Sequence, residues 1–191
     1  MECIVFLGVD GAGKSTIIKE LKRKIEARGE SVVVTHFRLK LFMKNNHKTS
    51  SGRPEFAEPW PVLIGYLKIL YFVFIELLIS QKIKRGTDYL IYDRNLTDCL
   101  VDGSRYRIQS HKGLYRLLRF REMFFSKTKR FILIGDPQQI SNRKKELTLE
   151  ETNTAILNYQ NYVDLFDAQY LDTTRNSTDI LVKKILDEFV D

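Results

Sequence analysis

An apolar run, Ile4-Val5-Phe6-Leu7, leads directly into Gly8-Val9-Asp10-Gly11-Ala12-Gly13-Lys14-Ser15-Thr16. The spacing Gly-x-x-x-x-Gly-Lys-Ser, placed between a strand and a segment of helical periodicity, is that of a loop that cradles phosphates. Gly8, Gly11 and Gly13 admit backbone conformations that a side chain would block, so successive N–H groups turn inward around a phosphate chain. The helix N-terminus behind them adds a partial positive charge. Lys14 is then expected to reach the β- and γ-phosphates, while the Ser15 hydroxyl helps hold Mg²⁺. A bare glycine-rich turn is the alternative, but with every fixed position filled the stretch reads as a nucleoside triphosphate site.

A second group of chemistry-bearing residues closes the run Asp88-Tyr89-Leu90-Ile91-Tyr92-Asp93-Arg94. An aspartate ending a strand near a phosphate loop organises Mg²⁺ through water or takes a proton from an attacking hydroxyl. An arginine beside it holds an anionic acceptor or the migrating phosphoryl group; a structural ion pair is the alternative. Asp98 and Asp102 follow four residues apart and share a face if the segment is helical. They bind acceptor hydroxyls or form a solvated face. Arg38, just past the second strand, is a further acceptor-side candidate, or a solvated loop residue. Arg143-Lys144-Lys145 supplies three consecutive cations, either a solvated face or a mobile lid that neutralises the transferring group. Arg143 is the favoured contact because of its planar fork. Thr173-Thr174-Arg175-Asn176 falls at the same edge and could border the nucleotide base, which makes Arg175 a nucleotide-side candidate.

The elements that would position these residues follow from periodicity. Ile17 to Arg28 has Ile17, Ile18, Leu21 and Ile25 on one helical face and ends at Gly29. Ser31 to Phe37 reads as a buried parallel strand. Strand, phosphate loop, helix, strand opens a doubly wound α/β fold, with ligands beyond the carboxyl ends of the strands. Further strands are expected at Arg130–Gly135 and Gln169–Asp172, and helices at Leu114–Phe125, Glu151–Phe166 and Ile180–Val190. From Lys40 to Pro61 no apolar period survives, and a long surface loop is expected that either closes over an acceptor or is disordered. Trp60 to Ser80 is apolar nearly all round, yet Lys68 and Glu76 interrupt it and Pro61 and Gly65 lie in its first half. It reads as a core helix whose outer face forms a homodimer interface, rather than as a membrane contact or a transmembrane span.

Composition sets the outer limits. The chain has 191 residues, 43% hydrophobic and 29% charged, enough for one domain with a substantial core. Its net charge of +7 suggests anionic ligands. The basic residues are spread along the chain, so a phosphate-handling enzyme accounts for them and nucleic acid is not expected as a partner. Cys3 and Cys99 lack metal-ligand spacing and read as small apolar residues in a reducing compartment. No secretory leader pattern precedes the phosphate loop, which points to the cytoplasm. A regulatory GTPase is disfavoured by the lack of an Asn-Lys-x-Asp motif, and a motor ATPase by Asp93-Arg94 where an acidic pair would stand.

As a whole, the arrangement resembles the thymidylate kinase-like branch of the phosphate-loop nucleoside monophosphate kinases. The resemblance is carried by Gly8 to Thr16, Tyr92-Asp93-Arg94, Arg143-Lys144-Lys145-Glu146 and Thr173 to Asn176. It implies a P-loop NTPase fold of the α/β class: one domain over 1–191, a five-stranded parallel sheet flanked by helices, and a short lid near 138–150. It also implies ATP as donor, Mg²⁺, and often a homodimer packed through helices. Asp10 would lie close to the acceptor sugar and the metal, and Arg94 close to the acceptor phosphate. Members with Gly at position 11 tend to place the catalytic arginine in the lid, which supports Arg143. The departures concern the acceptor. Thymidylate kinases follow the second strand with Arg-Glu-Pro-Gly, where Thr35-His36-Phe37-Arg38-Leu39 stands here. The thymine-reading arginine has no counterpart in Tyr71 to Ile79, and Asn95 and Asp102 stand where an aromatic and a tyrosine are usual. An acid in that position favours an acceptor with more hydroxyls. The expected activity is transfer of the γ-phosphoryl group of Mg·ATP to a nucleoside monophosphate such as dTMP or a related small acceptor. A kinase of a non-nucleotide acceptor such as a sugar, and a non-catalytic nucleotide-binding scaffold, remain open.

Overall fold

Three runs rich in Val, Ile, Leu, Phe and Tyr supply inner strands buried on both faces, as an all-parallel sheet requires, while the edge runs Val32–His36 and Ala168–Asp172 are only partly buried, so the strand expected from Ser31 forms but is not a buried one. In the computed structural model the chain runs β1 (Glu2–Gly8), α1 (Lys14–Glu26), β2 (Val32–His36), α2 (Val62–Ile83), β3 (Tyr89–Asp93), α3 (Asp98–Val101) and α4 (Lys112–Glu122). It continues as β4 (Thr128–Ile134), α5 (Pro137–Arg143), α6 (Leu149–Phe166), β5 (Ala168–Asp172) and α7 (Thr178–Asp187). The structure describes residues 1–36, 61–83, 86–101, 108, 112–122, 128–144 and 147–189. Arg38, Asp102, Lys145 and Glu146, and the loop expected from Lys40 as far as Trp60, lie outside the described residues.

The strand order is β2-β3-β1-β4-β5, parallel throughout. Because β1 lies between β3 and β4, the loop that follows it opens where the chain's connections diverge to opposite sides, the usual place for a ligand crevice in such sheets. Register aligns the strand ends: Phe6 stands opposite Asp93, and Asp93 opposite His36. On the other side Gly8 pairs with Leu133. Gly8 has φ 137°, and a Cβ there would lie 2.5 Å from the Leu133 carbonyl oxygen, so only glycine lets the loop leave β1 this close to β4.

The strand interiors form the centre of the core, with Ile4, Val5, Phe6, Leu7, Leu90, Ile91, Phe131, Ile132 and Leu133 almost wholly buried. α1 presents Ile17, Ile18, Leu21 and Ile25 to it, as the helical spacing predicts. α6 begins with a capping box in which Thr148 and Glu151 satisfy each other's backbone N–H groups. α5 is capped by Asp136, which accepts from the Gln139 N–H, and has Pro137 in its first turn.

A second apolar cluster, including Ile69, Phe72, Leu96, Cys99, Leu114 and Leu118, joins α2, α3 and α4. Here the two charges that interrupt the apolar run are placed: Lys68 and Glu76 are both buried. Arg121 of α4 forks onto Glu76, its Nε donating at 2.9 Å to Oε2 and a terminal nitrogen donating to Oε1. α2 is not buried on all sides. Leu63 (71% exposed), Leu67 (58%) and Phe74 (59%) lie on one outward stripe with Leu70 and Leu78.

The Glu76–Arg121 pair generates a stability prediction. Removing one partner leaves a buried charge without its counter-ion, so Glu76→Ala is expected to lower unfolding free energy by about 3–5 kcal/mol. The double replacement Glu76→Leu with Arg121→Met is expected to recover most of that loss. Urea denaturation of the three proteins measures both effects.

Candidate active site

The helix α1 begins at Lys14, with Gly13 (φ 87°) as its N-cap, so Lys14 and Ser15 stand in the first turn at the mouth of the loop. Lys14 is buried, and its Nζ donates to the carbonyls of Gly8 at 2.7 Å and Val9 at 2.8 Å, with Asp10 Oδ1 3.9 Å away. Burial pushes the Lys14 pKa down to about 7. The positive charge of Arg94 acts in the same direction, and Asp10, Asp93 and Asp98 oppose it. Ser15 and Thr16 are exposed at this mouth, while Ala12 is fully buried beneath it. A Cβ on Gly11 would lie 2.8 Å from the Ile140 carbonyl oxygen and 3.3 Å from the Lys144 Cβ, which places the end of α5 against the loop.

The strand end of β3 supplies the facing residues. Arg94 takes φ 67°, a left-handed conformation uncommon for a non-glycine residue. Its N–H donates to the Phe6 carbonyl at 2.9 Å, which ties the turn to β1. One terminal nitrogen of its guanidinium donates to Asp10 Oδ1 at 2.8 Å. The other donates to Asp98 Oδ2 at 2.9 Å and to the Tyr159 hydroxyl at 2.7 Å. Tyr159 in turn donates to Asp98 Oδ1 at 2.7 Å. Arg94 and Asp98 are both buried, so this is a charge-paired network in low dielectric.

The network alters two readings. Asp98 is not an exposed acceptor ligand or a solvated face: it is fully buried and tied to Arg94 and Tyr159. Tyr159 was not singled out in the sequence, where it is one more apolar position on α6. Its only signal is its place on the stripe with Ile156, Tyr162 and Phe166. His36 sets its Nδ1 2.7 Å from Asp93 Oδ2 across the β2–β3 register.

Asp93 has a second carboxylate oxygen, Oδ1, that is buried and has no hydrogen-bond partner among the described residues. A buried carboxylate oxygen left without a donor is costly, and a cation or its bound water would satisfy it. Among the described residues no group of three His, Cys, Asp or Glu side chains is placed to hold a metal. One carboxylate with the hydroxyl of Ser15 fits Mg²⁺, which keeps waters and takes its remaining oxygens from substrate phosphates. Asp93 and Ser15 would therefore hold the ion.

On the opposite side of the loop, Asp172 shapes the turn after β5. Its Oδ1 accepts from the Thr174 N–H, the Thr174 hydroxyl and the Arg175 N–H at 2.9, 2.8 and 3.0 Å. Arg143, exposed at the end of α5, donates to the Thr173 carbonyl at 3.3 Å, and Thr173 is also the side-chain neighbour of Gly13. Arg143 thus joins α5 to this turn. Arg175 is 86% exposed and lies 3.6 Å from Asp172, on the outer side of the same turn. Lys14, Asp10, Asp93 and Arg94 come together as a group, with Arg143 and Arg175 along a separate rim.

No family model matches the sequence, and no curated protein does. Solved structures match along nearly the whole chain. The YorR protein of Bacillus subtilis, in complex with phosphorylated GDP, superposes with a TM-score of 0.61 at 18% identity, over 96% of this chain and 93% of that one. A thymidylate kinase from Candida albicans gives 0.58 at 16% identity, over 97% and 89%. A deoxyadenosine kinase from M. mycoides, with dCMP and dCDP bound, gives 0.55 at 15% identity, over 98% of each chain. At these identities the likeness establishes the fold: the chain has the α/β architecture of the phosphate-loop kinases.

The Lys14 environment carries a pH prediction. With a pKa of about 7 in the free protein, Nζ is largely neutral at pH 8. A triphosphate beside it favours the charged form, so binding takes up a proton, approaching about one per site at pH 8 and falling towards zero well below pH 7. Calorimetric titration with ATP in buffers of different ionisation enthalpy reads this number directly. Affinity should weaken as pH rises above 7, because protonation then has to accompany binding.

Proposed function

We propose that this chain is an ATP-dependent phosphotransferase, of the thymidylate kinase-like type, that moves the γ-phosphoryl group of Mg·ATP to a small acceptor. The acceptor is either a nucleoside monophosphate such as dTMP or the hydroxyl of a related small molecule, a nucleoside or a sugar. One observation carries the reading. A phosphate loop with Lys14 buried at its mouth faces a strand-end Asp93 whose second oxygen lacks a partner among the described residues.

The roles follow from position. Backbone N–H groups from Gly8 to Thr16 cradle the phosphate chain, and Lys14 neutralises charge on the transferring group. Ser15 and Asp93 would hold Mg²⁺, which would lower the charge that the acceptor meets. Arg143 stands at the rim next to the Gly13 side of the loop and is the residue assigned to the migrating phosphoryl group on lid closure. Arg175 borders the nucleotide on the same rim. Asp10 lies between Lys14 and Arg94 and faces the acceptor side. Catalysis of this kind is alignment and electrostatics, with no covalent intermediate on the protein.

The exposed apolar stripe of α2 supports a homodimer as part of the same proposal. Leu63, Leu67, Leu70, Phe74 and Leu78 recur at helical spacing on one face, and exposed apolar side chains grouped in this way mark an interaction surface. No helix among the described residues is long and apolar enough to cross a membrane, and a cytoplasmic dimer accounts for the stripe.

Two outcomes are expected. Lys14→Met should abolish ADP formation from Mg·ATP while the thermal midpoint of the free protein stays the same or rises, since the variant removes a desolvated charge. Turnover retained in a folded Lys14→Met protein would exclude the proposal. Replacing Leu67 and Phe74 by Glu should halve the mass seen by light scattering and leave ATP binding intact.

A further inference from the structure

Resting on the phosphotransferase reading, we infer that the acceptor group is a hydroxyl, of a nucleoside or a sugar, and not a phosphate monoester. Of the two acceptor-side arginines in the sequence, Arg38 lies outside the described residues, and Arg94, the one expected beside an acceptor phosphate, is already engaged. Arg94 is buried, and both of its terminal nitrogens donate to carboxylates, to Asp10 at 2.8 Å and to Asp98 at 2.9 Å, with Tyr159 as a further acceptor at 2.7 Å. An arginine clamp works by presenting its fork, with its charge uncompensated, to the two oxygens of an anion. Here two carboxylates offset the single charge. A phosphate that displaced Asp98 would leave a fully buried carboxylate without its counter-ion.

The electrostatics of the edge point the same way. Among the described residues the acceptor side carries Asp10 and Asp98 against Arg94, with Lys14 assigned to the donor phosphates and Asp93 to the metal, beside His36. The Asp10 side chain is 22% exposed, so the group met at the mouth is a carboxylate. Carboxylates only accept hydrogen bonds, which suits an acceptor that brings hydroxyl donors and repels one that brings a dianion. Tyr159 and Asp98 are positioning residues in this scheme: they hold Arg94 away from the acceptor and keep Asp10 fixed.

The chemistry is balanced as ROH + ATP⁴⁻ → ROPO₃²⁻ + ADP³⁻ + H⁺. The acceptor oxygen forms a bond to the γ-phosphorus, the bond from that phosphorus to the β,γ-bridging oxygen breaks, and ADP leaves with the electron pair. The hydroxyl proton ends in solvent. A phosphate monoester acceptor at pH 8 would give a diphosphate and ADP with no net proton release.

The test uses the full chain with Mg·ATP at pH 8, measuring ADP by chromatography and protons with an indicator. One arm offers nucleosides, a second free sugars, and a third and fourth the corresponding monophosphates. A response to either hydroxyl arm, with kcat/KM about 100-fold above its phosphorylated counterpart and about one proton per ADP, is the expected result. The arm that responds says whether the hydroxyl belongs to a nucleoside or a sugar. Preference for a phosphorylated acceptor, with no proton released, would overturn this inference and leave the phosphotransferase reading standing. ADP formation in no arm, despite ATP binding, would overturn both. In Tyr159→Phe, which keeps the ring and loses one constraint on Arg94, the ratio of phosphorylated to hydroxyl acceptor kcat/KM should rise about tenfold through KM, with the KM for ATP unchanged. An unmoved ratio in that folded variant would overturn the role given to the network.

Discussion

The buried guanidinium of Arg94 is the constraint on which the site's geometry depends. A charge removed from water must be matched closely, and here the matching groups come from separate elements: Asp10 from the phosphate loop, Asp98 from the start of α3 and Tyr159 from the middle of α6. Each bond therefore fixes the distance between two elements as well as satisfying a charge. The left-handed backbone at Arg94, with its N–H on the Phe6 carbonyl, is held by these surroundings and not by local preference.

Around that network lie the features that cost stability. Lys14 is desolvated enough to lower its pKa to about 7, Asp93 keeps a buried oxygen without a partner among the described residues, and Gly8 admits no side chain against Leu133. Their concentration at the carboxyl ends of β1 and β3 is the pattern of a site built for a ligand that completes it. The rim formed by Arg143, Thr173 and the Asp172-organised turn is by contrast well satisfied and exposed.

The helix α2 shows how one apolar run meets two demands. Its buried side joins the second cluster and carries Glu76 onto Arg121, while its outward stripe leaves large apolar side chains at the surface. Hydropathy alone cannot separate these roles, since a residue counts as apolar whether it faces a core or a partner.

What the sequence determined by itself was local. The phosphate loop, the amphipathic face of α1 and the strands depend on backbone conformation and on period over a few residues, so they were legible in order and nearly in extent. The parallel sheet also followed, because strands that alternate with helices have few other ways to pack. What only the tertiary structure decided was which charges meet. Asp98 reads along the chain as an accessible acid and lies fully buried, Tyr159 reads as an apolar position and closes the Arg94 network, and His36 meets Asp93 through the sheet register. These partners stand 61, 65 and more residues apart in part of the network. The strength of a charge pair depends on separation in space and on local dielectric, and neither quantity is written in spacing along the chain.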